Sequence, residues 1–203
     1  MPGAVRPARG REKITDAPGP CRDLLTLCLA FQPLAARADL AVGQRFPNLT
    51  FSRALSAADR TYLGLIRPGP FTLKDIQARY VLIEIFSDSC PHCILAAPEV
   101  NRLFRLLEKN PKLPGQDGQP AVLKIMGVGF YGKAAAMEVW RIKYDVPFPL
   151  IPDPQAEVGK ALDIPGTPTY VVLDRRGQVV FVHAGEIGRP RQFLRKILNH
   201  LDF

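Results

Sequence analysis

The stretch from Tyr80 to Asn101 constrains the fold more than any other part of the chain. It opens with an apolar, β-branched run from Tyr80 to Phe86, which is typical of a buried strand. A short turn follows, and apolar residues then recur at helical spacing from Ile94 onwards, with Pro91 suited to a first helical turn. The sequence therefore predicts a strand that leads directly into a helix opening at Cys90.

Two cysteines occupy the start of this helix. Cys90 and Cys93 are three residues apart, so they share one face of the first turn and are able to form or release a disulfide. The free amides and the dipole at a helix start favour a thiolate at Cys90, and a protonated His92 would favour it further. Cys93, one turn in, is expected to be more buried and to act as the resolving thiol. The pattern indicates thiol–disulfide exchange.

The cysteine pair has three other interpretations. A zinc site would need a second cysteine or histidine pair, and His183 and His200 stand alone, so no metal is predicted. A peroxidase would carry a proline where Ile83 stands. The third interpretation is a purely structural disulfide in a non-catalytic binding module, and activity measurements would distinguish it from an enzyme.

Several residues around the pair resemble those of thioredoxin-fold oxidoreductases. Glu84, six residues before the first cysteine, matches the buried acid that moves the proton of the resolving thiol in that family, although an edge position facing water is the alternative. Gly166 to Tyr170 matches the loop with a cis-proline that faces the disulfide. The resemblance implies a thioredoxin-like three-layer α/β/α sandwich with a central mixed sheet. It also implies a cis Thr167–Pro168 bond, with both residues presenting backbone to the substrate.

The direction of electron flow is indicated by two features that disagree. The dipeptide Pro91-His92 is the one used by DsbA-like oxidases, in which it stabilises the reduced thiolate. The surrounding sequence, from Val42 to Leu201, is instead similar to TlpA-like and ResA-like redoxins, which mostly deliver reducing equivalents, for example in cytochrome c maturation. The interval from Lys133 to Leu162 is also too short for the helical insertion of DsbA-like proteins. We therefore expect a reductase, with a DsbA-like oxidase as the alternative.

Residues 1–38 resemble a secretory leader, and residues 39–203 form the predicted redoxin domain. The leader combines a basic beginning, a short apolar run and a small-x-small site at Ala36 to Ala38. Its apolar run is too short to span a bilayer. Cys21 and Cys28 belong to this segment, so the mature domain would keep only the redox pair, which is not a disulfide scaffold. The predicted location is the periplasm.

Charge and composition limit the kinds of partner that the protein is expected to bind. Of the formal charge of +8, six basic and three acidic residues lie in the leader, which leaves +5 on the domain. These charges form only short clusters, such as Arg189 to Lys196, so a solvated basic face is expected and nucleic-acid binding is not. The predicted partners are protein thiol or disulfide substrates and a membrane redox partner. The protein is expected to be a monomer that needs no cofactor beyond its cysteine pair.

The remaining pattern predicts the rest of a single α/β domain. A strand followed by a helix and a second strand implies a parallel pair with a right-handed crossover. The predicted elements are a strand over 122–130, helices over 133–144 and 157–162, a hairpin of strands over 169–173 and 178–183, and a closing helix over 190–201.

Overall fold

The structure is a computed structural model that describes residues 40–51, 55–113 and 120–202. The predicted leader, including Cys21 and Cys28, lies outside the described residues.

One mixed sheet of five strands organises the described chain, in the order β3-β2-β1-β4-β5. The central strand β1 pairs in parallel with β2 and antiparallel with β4, β3 is parallel to β2, and β5 is antiparallel to β4. The bounds are β1 (Ala78–Phe86), β2 (Ala121–Phe130), β3 (Leu150–Asp153), β4 (Thr169–Asp174) and β5 (Val179–Ala184). The predicted parallel crossover and the predicted hairpin are both confirmed.

Helices cover both faces of the sheet, as the alternation of side chains along β1 requires. Leu82 and Phe86 face one apolar cluster, which includes residues of α2, α3 and α5. Val81, Ile83 and Ile85 face a second cluster, which is completed by α4 and by residues that precede β1. The helices are α1 (Ala57–Leu63), α2 (Pro91–Glu108), α3 (Ala134–Tyr144), α4 (Glu157–Leu162) and α5 (Pro190–Leu198). The three-layer α/β/α sandwich with a central mixed sheet is thus confirmed.

The predicted elements differ from the observed ones mainly at their ends. β1 begins at Ala78, two residues earlier than predicted, and α5 ends at Leu198 rather than at Leu201. Beyond Leu198 the chain continues in tighter i→i+3 hydrogen bonds, which a helical apolar pattern does not distinguish from α-helix. Strand β3 was not predicted, because Pro152 lies within it, and a proline is tolerated there only because β3 is an edge strand.

A buried side-chain amide connects α2, the helix that carries Cys93, to α3. Asn101 of α2 is 5% exposed, and its Nδ2 donates to the carbonyls of Tyr144, at 2.7 Å, and Asp145, at 3.2 Å. These carbonyls lie at the end of α3, where the helix itself supplies no donor. Asn101 therefore caps α3 and fixes the two helices relative to each other. Across the described residues, no helix is both long and apolar enough to cross a membrane.

Candidate active site

The turn from β1 into α2 presents the first cysteine at the surface and buries the second. Cys90 is the residue immediately before α2, and Pro91 is the first helical residue, as predicted. The backbone N–H of Cys90 donates to the carbonyl of Ser87 at 3.2 Å, which closes the turn. Cys90 is partly exposed, whereas Cys93, one turn further, has no exposed surface, and both are free thiols. The predicted difference in burial is confirmed.

The surroundings of Cys90 favour its thiolate. Burial raises the pKa of this thiol, but hydrogen bonds from the Thr167 side chain, the Cys93 thiol and the backbone N–H groups of Cys93 and His92 outweigh it, so the pKa lies below its ordinary value. In the protonated state the thiol donates to the backbone carbonyl of Thr167 at 3.2 Å. Cys90 is therefore the thiol that is ready to react.

Cys93 has the opposite character. Its burial raises the pKa of the thiol to about 12, and a backbone hydrogen bond from Ser87 lowers it only in part. A thiol with so high a pKa is protonated at neutral pH and becomes a nucleophile only if a neighbouring base removes its proton.

Glu84 lies on the central strand, on the same face as Leu82 and Phe86. It is 4% exposed, so the alternative of an edge position facing water is wrong. Burial raises the pKa of Glu84 to about 8, against which a hydrogen bond from the Tyr170 hydroxyl, 3.4 Å from its Oε1, acts weakly. A carboxyl group with a pKa near neutrality is able both to accept and to give a proton at physiological pH.

Tyr170 is a residue of the site that sequence reasoning did not single out. It is fully buried on β4, directly opposite Glu84 in the strand register. Burial and the charges of Glu84 and Cys93 raise the pKa of its hydroxyl, so Tyr170 lies near both groups. Tyr170 belongs to the Gly166 to Tyr170 loop motif, but only the pairing of β1 with β4 shows that its hydroxyl lies next to the Glu84 carboxyl group.

The loop before β4 faces the cysteines. The Thr167–Pro168 peptide bond is cis, as predicted. The hydroxyl of Thr169 donates to the carbonyl of Gly166 at 2.7 Å and holds the loop. The contact between the Cys90 thiol and the Thr167 carbonyl brings this loop against the start of α2.

The side chain of His92 makes a contact that the sequence did not predict. Its Nδ1 lies 2.9 Å from Oε1 of Glu186, in the loop after β5. The hydrogen bond and the charge of Glu186 raise the pKa of His92. The backbone N–H of His92 donates a hydrogen bond to Cys90, and the charge of Cys90 adds to that of Glu186 in raising the pKa of the imidazole. No motif marks Glu186 in the sequence, because it is 94 residues away from its partner.

Within the described ranges, no group of histidine, cysteine or acidic side chains is arranged to hold a metal ion. The arrangement instead joins a reactive thiol, a buried thiol and a buried acid. Together with the fold, it defines a thiol–disulfide oxidoreductase of the thioredoxin fold.

The protein belongs to the Redoxin family, whose model matches residues 41–197. The comparison with curated proteins gives no match.

Solved structures with the same fold are similar to this chain at low identity. A candidate thiol:disulfide interchange protein DsbE of Chlorobium tepidum is 18% identical, with 81% of this chain and 100% of that chain covered and a TM-score of 0.58. StoA of Bacillus subtilis is 14% identical, with coverages of 74% and 97% and a TM-score of 0.52. A secreted disulfide oxidoreductase of Mycobacterium tuberculosis, described as homologous to Escherichia coli DsbE, is 14% identical, with coverages of 65% and 90% and a TM-score of 0.50. At these identities the likeness shows the fold.

Proposed function

We propose that the protein reduces disulfides of protein substrates through Cys90 and Cys93, outside the cytoplasm. One observation carries the proposal. An accessible thiol with a lowered pKa lies one turn before a buried thiol with a raised pKa, on a helix start that faces the Thr167–Pro168 loop.

In the first step, the Cys90 thiolate attacks one sulfur of the substrate disulfide. A bond forms between Cys90 and that sulfur, the substrate S–S bond breaks, and the departing thiolate takes a proton from solvent. In the second step, ionised Glu84 accepts the proton of Cys93. The Cys93 thiolate attacks the sulfur of Cys90, the intramolecular disulfide forms, and the mixed disulfide breaks. The second substrate sulfur leaves as a thiolate and takes a proton from solvent. The two electrons that reduce the substrate come from the cysteine pair.

The loop before β4 supplies the substrate contact. Pro168 has no backbone N–H, so an extended substrate segment would pair with the neighbouring carbonyl of Thr167. That carbonyl accepts the Cys90 thiol in the reduced protein. It becomes available to a substrate N–H when Cys90 is held in the mixed disulfide. Substrate binding and covalent attack would therefore occur at the same position.

The reductive direction is supported by the partner of His92. In a DsbA-like protein a histidine at this position stabilises the reduced thiolate and makes the disulfide a strong oxidant. Here the imidazole is paired with Glu186, so its positive charge is partly compensated. The alternative, a dithiol oxidase, is favoured by the Cys90-Pro91-His92-Cys93 sequence itself.

The location and the partners complete the proposal. The composition of residues 1–38 supports export to the periplasm, and the similar mycobacterial protein is a secreted one. A membrane redox partner would then return electrons to the cysteine pair, with no organic cofactor or metal. The monomeric state also belongs to the proposal. The resemblance to TlpA-like and ResA-like proteins favours apocytochrome cysteines as substrate thiols.

Equilibration with glutathione tests the direction. The measurement uses a Cys21→Ser/Cys28→Ser background, so that only Cys90 and Cys93 exchange. We expect a potential below about −150 mV, which is more reducing than the roughly −120 mV of DsbA and lies towards the roughly −270 mV of thioredoxin. A higher potential, together with efficient oxidation of a reduced unfolded protein, would overturn the reductase in favour of the oxidase.

Turnover of a disulfide substrate separates an enzyme from a binding module. Cys90→Ser should abolish reduction, and Cys93→Ser should accumulate the mixed disulfide. Glu84→Gln should slow resolution of a trapped mixed disulfide more than it slows the first attack. Equal single-turnover rates for both steps in Glu84→Gln and in the parent protein would remove Glu84 from the mechanism.

The ultraviolet absorbance of the thiolate against pH tests the activation of Cys90. The absorbance of the Cys21→Ser/Cys28→Ser protein should rise at a pH below the ordinary thiol value of about 8.5. The same titration in the Cys90→Ser variant should lack that step. A Cys90 that titrates at or above its ordinary value would contradict the mechanism.

A further inference from the structure

A cationic groove runs between α2 and α5 on the surface of the protein. It has a volume of about 810 Å³. Both walls are basic. Arg102, Arg105 and Lys109 project from α2, and Arg189, Arg191 and Arg195 come from the start and first turns of α5. Leu106 and Pro190 add apolar surface between them. The sequence showed only the Arg189 to Lys196 cluster; the packing of α5 on α2 brings a second set of cations against it.

The charge in this groove is largely uncompensated within the described chain. Arg102 pairs with Glu99, which is the only acidic side chain among the described residues that line the groove. The structure shows no carboxylate partner for the other five cations among the described residues. Like charges at i,i+4 on one helix, such as Arg191 and Arg195, repel each other and weaken the helix slightly. An anion between the walls would relieve this repulsion.

The shape and the kind of cation indicate the class of ligand. Five of the six cations are arginines, whose planar guanidinium groups bind carboxylates through two parallel hydrogen bonds. The two walls and the apolar surface between them suit an extended segment with acidic and apolar side chains. The arginines of both walls, together with the apolar surface between them, therefore favour an acidic peptide segment.

Both walls of the groove are connected along the chain to residues of the cysteine site. Glu99 is nine residues after Cys90 on the same helix, which corresponds to about 14 Å along the axis. The loop that holds Glu186 against His92 continues directly into Arg189 at the start of α5. A segment longer than the groove would therefore extend from its Glu99 end towards the start of α2.

We infer that the groove between α2 and α5 binds an acidic segment of the protein that exchanges disulfides with Cys90. The inference rests on the proposed function, because it assigns part of the partner's binding energy to a surface outside the cysteine site. It predicts that partners carry carboxylates within a few residues of the reacting disulfide or on an adjoining surface.

The test measures binding apart from chemistry. A labelled acidic peptide, Glu-Glu-Leu-Glu-Glu-Leu-Glu-Glu, is titrated with the full chain by fluorescence anisotropy, and the same peptide with glutamine for glutamate is the control. Arg105→Gln/Arg191→Gln/Arg195→Gln should weaken binding about tenfold, because three exposed charge pairs are lost. All three residues are exposed, so the fold should persist. The variant that retains the charges, Arg105→Lys/Arg191→Lys/Arg195→Lys, should lose less affinity for the peptide.

A matched variant removes three arginines elsewhere. Arg45, Arg175 and Arg176 line a separate basic hollow, and the β4–β5 turn lies at the end of the sheet opposite Cys90. Arg45→Gln/Arg175→Gln/Arg176→Gln should leave peptide affinity within about twofold. An equal loss in both triple variants, or no saturable binding of the peptide, would overturn the inference. So would groove-dependent binding only to vesicles of phosphatidylglycerol and phosphatidylcholine, since the surface would then serve a membrane.

Kinetics link the groove to the reaction. A disulfide peptide with the acidic tail should have a lower KM than the same peptide with a glutamine tail, at equal kcat, and the groove variant should erase that difference. If the acidic tail binds but neither peptide is reduced, the proposed function fails while the groove remains. If both peptides are reduced with the same KM, the groove inference fails alone.

Discussion

Cys90 and Cys93 are separated by one helical turn, and that turn gives them opposite proton affinities. Cys90 precedes the first helical residue, where backbone N–H groups without helical partners point at its sulfur. Cys93 is already enclosed by the core, where a charge is costly. Cys90 therefore favours the thiolate, whereas Cys93 keeps its proton at neutral pH unless a base removes it.

At the same scale, Glu186 should control the titration of His92. Glu186→Gln removes the carboxylate at 2.9 Å, so the pKa of His92 should fall from its raised value. NMR titration of the imidazole signals measures this shift, with His200 in the same spectrum as the internal reference. An unchanged His92 pKa in Glu186→Gln would show that the contact is not formed in solution.

Glu84 should make stability depend on pH. Its pKa is raised from 4.5 to about 8, so between these pH values the folded protein keeps a proton that the unfolded chain has released. The free energy of unfolding should therefore fall as pH rises through this interval, by about a few kcal/mol. Urea denaturation of the oxidised protein, in which neither Cys90 nor Cys93 titrates, measures the effect. In the isosteric Glu84→Gln variant the free energy of unfolding should depend less on pH. An identical pH dependence in both proteins would contradict the raised pKa of Glu84.

At the scale of elements, the site depends on how α2 is fixed. β1 positions the start of α2, and the Thr167–Pro168 loop faces it from the beginning of β4. Asn101 fixes the middle of the helix to the end of α3 through two carbonyls. The position of α2 relative to the Thr167–Pro168 loop is therefore fixed both at the start of the helix, by Cys90, and in its middle, by Asn101.

Asn101→Leu should destabilise the protein by about 1–3 kcal/mol, because it leaves the carbonyls of Tyr144 and Asp145 without a donor. The loss is limited because Oδ1 of Asn101 is itself buried without a partner among the described residues, and leucine removes that atom. Urea denaturation measures the change. Asn199→Leu, at an exposed position at the end of α5, is the control and should change stability by less than about 0.5 kcal/mol. Equal stabilities of the Asn101→Leu variant and the parent protein would show that the α3 end is solvated instead.

At the scale of the whole molecule, the redox state and the folding equilibrium are linked. A strongly oxidising pair has a reduced form that is more stable than its oxidised form. If the protein is the proposed reductase, the oxidised form should be at least as stable as the reduced form. Urea denaturation of both forms, in the Cys21→Ser/Cys28→Ser background, measures the difference. For a two-electron pair, about 30 mV corresponds to about 1.4 kcal/mol, so a reduced form that is several kcal/mol more stable would indicate an oxidase.

The sequence by itself determined the central unit of the protein. The β-branched run, the proline at the first helical position and the helical spacing beyond it are local, so they predicted β1, α2 and the placement of Cys90 and Cys93. The family resemblance added Glu84 and the cis bond before Pro168, because these motifs have fixed positions in the chain. Element ends were less certain, since a helical pattern continues where the backbone has already tightened.

Only the tertiary structure decided which distant groups meet at the site. Glu186 holds the imidazole of His92, Tyr170 donates to Glu84, and α5 places its arginines opposite those of α2. Each of these contacts joins residues from separate elements, and no pattern in the sequence shows which of these residues will meet. Their effect is electrostatic, so it depends on distances of a few ångströms and on burial. Those quantities exist only once the sheet order and the packing of the helices have brought the groups together.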